Sequence, residues 1–326
     1  MYRIAVVGAT GLVGSTIIKI LENQNIPIDE LVPLASARSA GTSIPFQGKG
    51  IKVRELTPEV TEEEFDYVLM SAGGEISLEY SPLFEKNGAI VIDNSSAWRM
   101  DAEIDLVVPE VNQANLTRKI IANPNCSTIQ SVSPLKILQD AFGLKRIAYT
   151  TYQSVSGSGW AGIEDLKRGE AGEEPLTYPY PIYNNILPQI DDFLEDGYTK
   201  EEQKMIDETR KILDMPDLPI TATCVRVPVE SSHSIAINVT FEKNATVEDV
   251  RAVFKDKKGI ILKDNLETLE YPTALDAAGK DEIFIGRIRK DDSLENTFHL
   301  WSASDNILKG AALNSVQILE QLINNK

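Results

Sequence analysis

Four side chains in this 326-residue chain can do thiol or imidazole chemistry: Cys126, Cys224, His233 and His299. Cys126 stands in the run Asn123-Pro124-Asn125-Cys126-Ser127-Thr128, after an Asn-Pro turn and at the mouth of a helix expected to stop at Gly143. At a helix N-terminus the first backbone N–H groups lack intrahelical partners and the dipole is positive, so a thiolate is favoured there. A thiolate so placed can attack an acyl carbon. The alternative is a buried structural cysteine, against which the polar neighbours Asn125, Ser127 and Thr128 speak. His233 precedes a predicted strand over 234–241, whose alternating Ile235, Ile237, Val239 and Phe241 mark one buried face. A histidine at a strand entrance can face a cleft and manage protons near neutral pH; a hydrogen-bonded structural histidine is the alternative. His299, among Phe298, Leu300 and Trp301, reads as a structural residue near the domain junction. Neither the cysteines nor the histidines form a disulfide framework or a zinc-spaced cluster, and no metal is expected.

The elements that must carry these groups begin with a nucleotide cradle. Residues 3–7 read as a buried parallel strand, followed by Gly8-Ala-Thr10-Gly11-Leu12-Val13-Gly14 and a helix with Ile17, Ile18, Ile20 and Leu21 apolar. Strand, glycine turn and helix are the setting of a dinucleotide fingerprint. Glycines let the backbone approach a pyrophosphate, and the helix N-terminus supplies donors. The spacing is G-x-x-G-x-x-G, so a tight strand–helix turn remains the alternative. The second strand, 31–35, ends in Ser36-Ala37-Arg38-Ser39. It lacks the acid that holds a ribose 2′-hydroxyl, and an arginine between serines suits a 2′-phosphate, so NADP(H) is the expected cofactor. An ordinary surface role for Arg38 is the alternative. Strands at 67–70 and 89–93 lead into Ser71-Ala72-Gly73-Gly74 and Asn94-Ser95-Ser96. Loops at such carboxyl ends bind ligands in open α/β sheets, and these two are expected to flank the nicotinamide.

The 42% hydrophobic and 25% charged composition is that of a globular protein long enough for two domains. A formal net charge of −17 argues against nucleic acid or an anionic membrane as partner, and requires a local cluster of cations for any anionic ligand. The start of the chain reads as a first strand rather than a signal peptide, and no apolar run approaches the ~18–20 residues of a membrane span. A reducing cytoplasm is the expected location.

Several motifs together resemble the aspartate-β-semialdehyde dehydrogenase family. They are the run from Gly8 to Gly14, Ser95-Ser-Ala-Trp-Arg-Met100, Asn123-Pro-Asn-Cys-Ser-Thr128, Tyr152-Gln-Ser-Val-Ser-Gly-Ser-Gly159 and Cys224-Val-Arg-Val-Pro-Val-Glu-Ser-Ser-His233. They stand in the family's order from the first strand to the last helix. The resemblance implies NADPH-dependent reduction of β-aspartyl phosphate to aspartate semialdehyde and phosphate through a thioester on Cys126, in aspartate-family amino-acid biosynthesis. His233 would manage the protons and Gln153 would orient the acyl intermediate. The resemblance further implies that Arg226 forks onto the substrate α-carboxylate, that Arg99 and Lys204 hold phosphate, that Glu201 meets the ammonium, and that Asn125 borders the substrate. The cofactor would touch Gly8, Thr10, Gly11, Leu12, Val13, Gly14, Ser36, Arg38, Ser39, Ser71, Ala72, Gly73, Ser156, Gly157 and Asn306.

Two of these assignments carry alternatives. Thr199 to Glu202 is also a capping box for a helix through Lys211, on which Glu208/Lys211 repeats the Glu201/Lys204 spacing. Asn306 opens the last segment, with N-capping by Asp305 as the structural reading. The fold class is α/β: a Rossmann-type NADP-binding domain at 1–127, to which 306–326 returns as a C-terminal helix, and an α+β catalytic, substrate-binding and dimerisation domain at 128–305. Strands are expected at 147–153, 220–229, 234–241 and 282–289, with a helix opened by Thr246-Val-Glu-Asp249. On the Cys126 helix Ile129, Val132, Ile137 and Leu138 form a buried stripe, and Pro134 is expected to kink it or make its first turns irregular. The Pro- and Tyr-rich segment 169–188 reads as a surface excursion of the kind that helps form a homodimer in the family. Rival readings are a related acyl-phosphate reductase, such as one for N-acetyl-glutamyl phosphate or a phosphorylating glyceraldehyde-3-phosphate dehydrogenase, and an inactive NADP-binding paralogue.

Overall fold

The computed structural model describes residues 1–325, which form two compact units: 1–125 with 311–325, and 126–310. In the first unit the strands are β1 Tyr2–Val7, β2 Ile28–Ala35, β3 Ser43–Phe46, β4 Lys49–Lys52, β5 Arg54–Glu55, β6 Tyr67–Met70, β7 Ile90–Asp93, β8 Asp105–Leu106 and β9 Ile120–Ala122, with helices α1 Leu12–Asn23 and α2 Gly74–Lys86. Seven strands pair in the order β5-β2-β1-β6-β7-β9-β8, all parallel, while β3 and β4 form a separate hairpin. Strands buried on both faces explain the unbroken apolar runs of β1, β6 and β7. The order reverses at β1, so the loops after β1 and β6 open at a topological switch point.

The second unit holds β10 Leu144–Gln153, β11 Ile220–Arg226, β12 His233–Phe241, β13 Ile260–Leu262, β14 Ile283–Lys290 and β15 Thr297–Ser304. They form one mixed sheet in the order β11-β10-β12-β15-β14-β13. Its helices are α3 Cys126–Phe142, α4 Gly159–Glu170, α5 Lys200–Leu213, α6 Val247–Ala252 and α7 Ala274–Ala277. The core packs Leu135 and Leu138 of α3 and Met205 of α5 against Ile147, Tyr149, Ile235, Ile237 and Val239. The last helix, α8 Leu313–Asn324, belongs to the first unit, where Val316, Ile318, Leu319 and Leu322 join its core.

Several expectations are corrected. Helix α3 runs unbroken through Pro134, and it is buried all round from Ser127 to Pro134 and at Leu135, rather than along a stripe; Ile137 is only half-buried. β11 ends at Arg226, three residues early, because Val229 N–H turns back to Val227 O at 2.8 Å. β15 was not expected. The final segment opens with a π-helical turn, Leu308–Ala312, so α8 starts at Leu313 rather than near Asn306, and residues 306–310 belong to the second unit. Asp305 does cap the segment: its carboxylate accepts from Ile307 N–H at 2.9 Å and Leu308 N–H at 3.0 Å. Among the described residues no helix is long and apolar enough to cross a membrane, and no cluster of His, Cys, Asp or Glu could hold a metal ion.

Candidate active site

Four neighbouring strands of the second unit end at one rim. Gln153 closes β10 opposite Arg226, which closes β11, and His233 opens β12 opposite Ser304, which closes β15. Cys126 is the first residue of α3, and its Sγ lies 3.2 Å from His233 Nε2. The imidazole is buried, and its other nitrogen, Nδ1, receives the Ser154 N–H at 3.0 Å and lies 3.1 Å from Ser154 Oγ. Burial first, and then the charge of Arg226, push the His233 pKa well below its ordinary value. Gly310, in the π-helical turn, lies against Cys126: a Cβ there would meet Cys126 Cβ at 2.9 Å. A π turn at such a place brings backbone close where a side chain would not fit.

Arg226 is buried with no carboxylate paired to it among the described residues. Its Nη1 donates to Ser154 O at 2.7 Å, and its Nε has no protein partner. Gln153 Nε2 donates to Ser127 Oγ at 2.5 Å and Glu201 Oε1 at 2.9 Å, leaving Oε1 without a protein partner. The Thr199–Glu202 capping box opens α5 and sets Glu201 on its first turn. Lys204 Nζ donates to Asp191 Oδ2 at 2.7 Å and Glu201 Oε2 at 3.3 Å. Burial alone would lower the Lys204 pKa, but the two carboxylates carry it above its ordinary value. Of the two repeated spacings, therefore, Glu201/Lys204 adjoins Gln153. Cys224 is buried, and burial raises its pKa too far for a thiolate at neutral pH. His299 is half-buried on β15, its Nε2 3.3 Å from Asp291 Oδ2.

Asn306, expected at the cofactor, is a buried hub within the second unit. Its Oδ1 accepts from Ser232 N–H at 2.9 Å, Ser154 Oγ at 3.0 Å and Ser156 Oγ at 3.2 Å, and its Nδ2 donates to Ser156 Oγ at 3.0 Å. Gly157 lies against the same cluster, since a Cβ there would meet Arg226 Nη1 at 2.8 Å. The sequence reading passed over Ser154, Ser127 and Gly310. The serine-dense run from Gln153 to Ser158 was the only available signal for Ser154, and nothing local marked Gly310.

In the first unit, Gly8 has φ +77°, and a Cβ on it would meet Ser71 O at 2.2 Å. A Cβ on Gly14 would meet Gly8 O at the same distance, so neither position admits another residue without backbone movement. Gly11 caps α1 with no side-chain bond, which leaves first-turn N–H groups facing outward beside Leu12 and Val13. Thr10 Oγ1 donates to Ser39 Oγ at 3.3 Å, and Ser39 N–H to Ser36 O at 2.9 Å, closing the turn that carries Arg38. Arg38 is exposed and enters no ion pair among the described residues, whereas Arg54 nearby is committed to Glu63. Ser71, Ala72 and Gly73 link β6 to α2, with Gly73 as the N-cap. The cradle is a backbone surface with no side-chain cap on its helix and with Arg38 in no ion pair among the described residues, which fits a dinucleotide.

Arg99 is buried in the first unit, its Nε donating to Asn123 O at 3.0 Å and its Nη2 to Asn94 O at 2.9 Å. Two residues of α8 fix these loops: Asn314 Nδ2 donates to Asn123 Oδ1 at 2.7 Å, and Ser315 Oγ to Asn94 Oδ1 at 2.7 Å. Asn125 is buried at the end of the same loop.

Comparison with known proteins gives the family. The family described as "Semialdehyde dehydrogenase, NAD binding domain" matches residues 3–119, and "Semialdehyde dehydrogenase, dimerisation domain" matches residues 135–309. The chain is 49% identical over 333 residues to the aspartate-semialdehyde dehydrogenase of Aquifex aeolicus, covering 99% of this chain and 98% of that one. Identity to the Bacillus subtilis enzyme of that name is 48% over 336 residues, covering 98% and 97%. The fold matches a crystal structure of aspartate semialdehyde dehydrogenase II complexed with ASA from Vibrio cholerae, with a TM-score of 0.94, 43% identity, and coverage of 99% and 98%. An oxidoreductase fold with a thiol–imidazole pair at its sheet rim, matched end to end by these relatives, places the chain in the aspartate-semialdehyde dehydrogenase family.

Proposed function

We propose that the chain catalyses NADPH-dependent reductive dephosphorylation of β-aspartyl phosphate to aspartate semialdehyde, within aspartate-family amino-acid biosynthesis in the cytoplasm. The observation that carries this reading is the 3.2 Å contact between Cys126 Sγ and His233 Nε2, beside buried Arg226, which has no carboxylate partner among the described residues. Cys126 attacks the acyl carbon, the C–O bond to phosphate breaks with its electron pair going to the leaving oxygen, and a thioester remains. NADPH, when bound, supplies the hydride that reduces the thioester carbon. His233 manages the proton at sulfur and at the developing thiohemiacetal oxygen. Gln153, tied to Ser127 and Glu201, keeps Oε1 available to orient the acyl group. Arg226 binds the α-carboxylate and Glu201 the ammonium, while Arg99 and Lys204 bind phosphate.

The glycine cradle with Thr10, Leu12 and Val13 would take the pyrophosphate, and Ser36, Arg38 and Ser39 the 2′-phosphate. Ser71, Ala72 and Gly73, with Ser156, Gly157 and Asn306, belong to the nicotinamide side of this reading. The first unit would serve the cofactor, and the second, residues 126–310, substrate and dimerisation.

A homodimer is part of the proposal. The second unit's sheet has one buried face and one carrying half-exposed Tyr152, Ala236, Asn238, His299 and Trp301, with the Tyr152 and Trp301 rings 5.3 Å apart. In the excursion, Leu176, Tyr180 and Ile186 are also exposed. Such apolar surface favours a second copy over a nucleic-acid partner.

The test is phosphate-dependent oxidation of aspartate semialdehyde with NADP or NAD, for wild type and Cys126→Ala. Wild type should turn over with NADP, and the variant should bind NADPH without turnover. Substantial activity in the variant, or turnover of N-acetyl-glutamate semialdehyde in preference, would defeat the assignment.

A further inference from the structure

The polar groups around His233 determine which nitrogen carries its proton. Nδ1 faces the Ser154 backbone N–H at 3.0 Å, and that hydrogen is fixed by the peptide plane. A nitrogen that accepts an N–H bond cannot hold a proton in the same direction. The Ser154 hydroxyl, 3.1 Å from Nδ1, has alternative partners in Asn306 Oδ1 at 3.0 Å and Ser156 Oγ at 3.1 Å. The titratable or charged groups facing the ring are Cys126 from α3 and Arg226 from β11. The 154–158 turn, Ser232 and Asn306 bring only neutral groups, and Gln130 Nε2 donates to the His233 carbonyl at 3.2 Å.

We infer that Ser154 is a positioning residue that fixes His233 as the Nε2–H tautomer, so that the neutral imidazole meets Cys126 as a hydrogen-bond donor. The hydrogen bond at one ring nitrogen sets the proton on the other. The inference rests on the catalytic reading above, and it changes what His233 does in it. The ring does not first have to take the thiol proton and become an imidazolium, a form that burial and Arg226 oppose. Instead the Cys126 thiol gives its proton to solvent, and Nε2–H donates to the thiolate that remains. When sulfur bonds to the acyl carbon, the same N–H is free to donate to the oxyanion. Phosphate leaves with the electron pair and takes its proton from water, while the ring proton stays on Nε2. Asn306 sets how far the hydroxyl contributes: a hydroxyl committed to Oδ1 turns a lone pair toward Nδ1, and one released from it donates to Nδ1.

The chain has two histidines, so ¹⁵N-histidine labelling of the full-length protein, with His299→Gln for assignment, reads this directly. At pH 7.5 the His233 signals should show an unprotonated Nδ1 and a protonated Nε2; a protonated Nδ1 overturns the inference. This readout needs no turnover, so it fails or succeeds independently of the substrate assignment. In Asn306→Asp the carboxylate holds the Ser154 hydroxyl and turns its lone pair to Nδ1, and the His233 pKa should rise by about one pH unit or more. Adding Ser154→Ala should remove at least about half of that rise, the remainder being through-space attraction to the carboxylate. Ser154→Ala keeps the backbone N–H, so a rise unchanged by loss of the hydroxyl would refute the part assigned to the hydroxyl, while the nitrogen signals test the N–H; circular dichroism and melting check that both variants are folded.

Discussion

Replacing Arg226 with lysine separates a fork from a point charge. The guanidinium is buried at the end of β11, with Nη1 given to Ser154 O at 2.7 Å and Nε without a protein partner. It can therefore hold its own turn in place and still present a second edge to a carboxylate. A lysine at the same place carries the charge but can serve only one of these tasks. The loss is about one hydrogen bond to a charged group, ~1.5–3 kcal/mol. At ~1.4 kcal/mol per factor of ten, kcat/KM for aspartate semialdehyde should fall about 10- to 150-fold. Most of the loss should appear in KM, because the carboxylate does not change during reaction and is held equally in ground and transition states. Initial rates at varied aspartate semialdehyde, with NADP and phosphate saturating, give the split. KM for NADP should stay within about twofold, since only the carboxylate contact changes. An Arg226→Lys enzyme within about threefold of wild type in kcat/KM, below the smallest loss of a charged hydrogen bond, would refute the carboxylate assignment.

Other perturbations address the cradle and the buried imidazole. Arg38→Gln removes the exposed cation beside Ser36 and Ser39 and should lower kcat/KM with NADPH while leaving NADH nearly unchanged; an unaltered ratio of the two cofactors would remove Arg38 from the site. Gly8→Ala places a Cβ 2.2 Å from Ser71 O at φ +77°, so NADPH affinity measured by fluorescence and thermal midpoint should both fall, and retention of both would contradict the backbone geometry. His233 has its pKa lowered on folding, so below its unfolded value of ~6.5 the unfolded chain binds a proton that the native state refuses. Stability then rises with pH through that value and is lost as pH falls. Urea unfolding at pH 7.5 and 5.5 should show wild type losing about 1.4 kcal/mol more than His233→Gln, and equal losses would argue for a solvated imidazole.

The nucleotide unit was legible because its signals are local. The strand at 3–7, the glycines at 8, 11 and 14 and the helix after them are contiguous, and each reports on its neighbours. The capping boxes at Thr199 and Thr246 are similarly short-range and both form. β15 escaped because its partners are remote in sequence and both of its faces carry large residues: Phe298 and Leu300 point to the core, His299 and Trp301 to the opposite face. Period-two alternation is invisible in such a strand. The stripe predicted on α3 failed for a related reason, since small polar residues such as Ser127, Ser131 and Ser133 are buried as fully as its apolar ones. Ser131 and Ser133 satisfy themselves on the helix's own carbonyls, at 2.8 and 3.3 Å, so polarity did not mean exposure. At the rim, Cys126 and His233 are 107 positions apart, and only the sheet register brings their strand ends and helix mouth together.

That rim is also where the second unit departs from economical packing. Gln153 Oε1, Arg226 Nε, Ser232 Oγ and Ser304 Oγ are buried there without protein partners, and each such group costs about 1–3 kcal/mol. Ser232, beside the imidazole, is held at φ +74°, a left-handed conformation that a non-glycine residue adopts only when its surroundings dictate it. What dictates it is Asn306, whose Oδ1 takes the Ser232 N–H at 2.9 Å while binding the 154–156 turn. In the same unit Tyr149 pairs with Thr209 and Thr240 with Thr297, while Thr151 Oγ1 and Asp264 Oδ1 are further buried atoms without a protein partner. Four unpartnered polar groups gathered at one end of a sheet, beside a serine in the left-handed region, mark an end organised around something it must hold. The identity of the tolerated groups narrows what that is: a guanidinium wants an anion, an amide oxygen wants a donor, and the thiol–imidazole pair between them wants an electrophilic carbon.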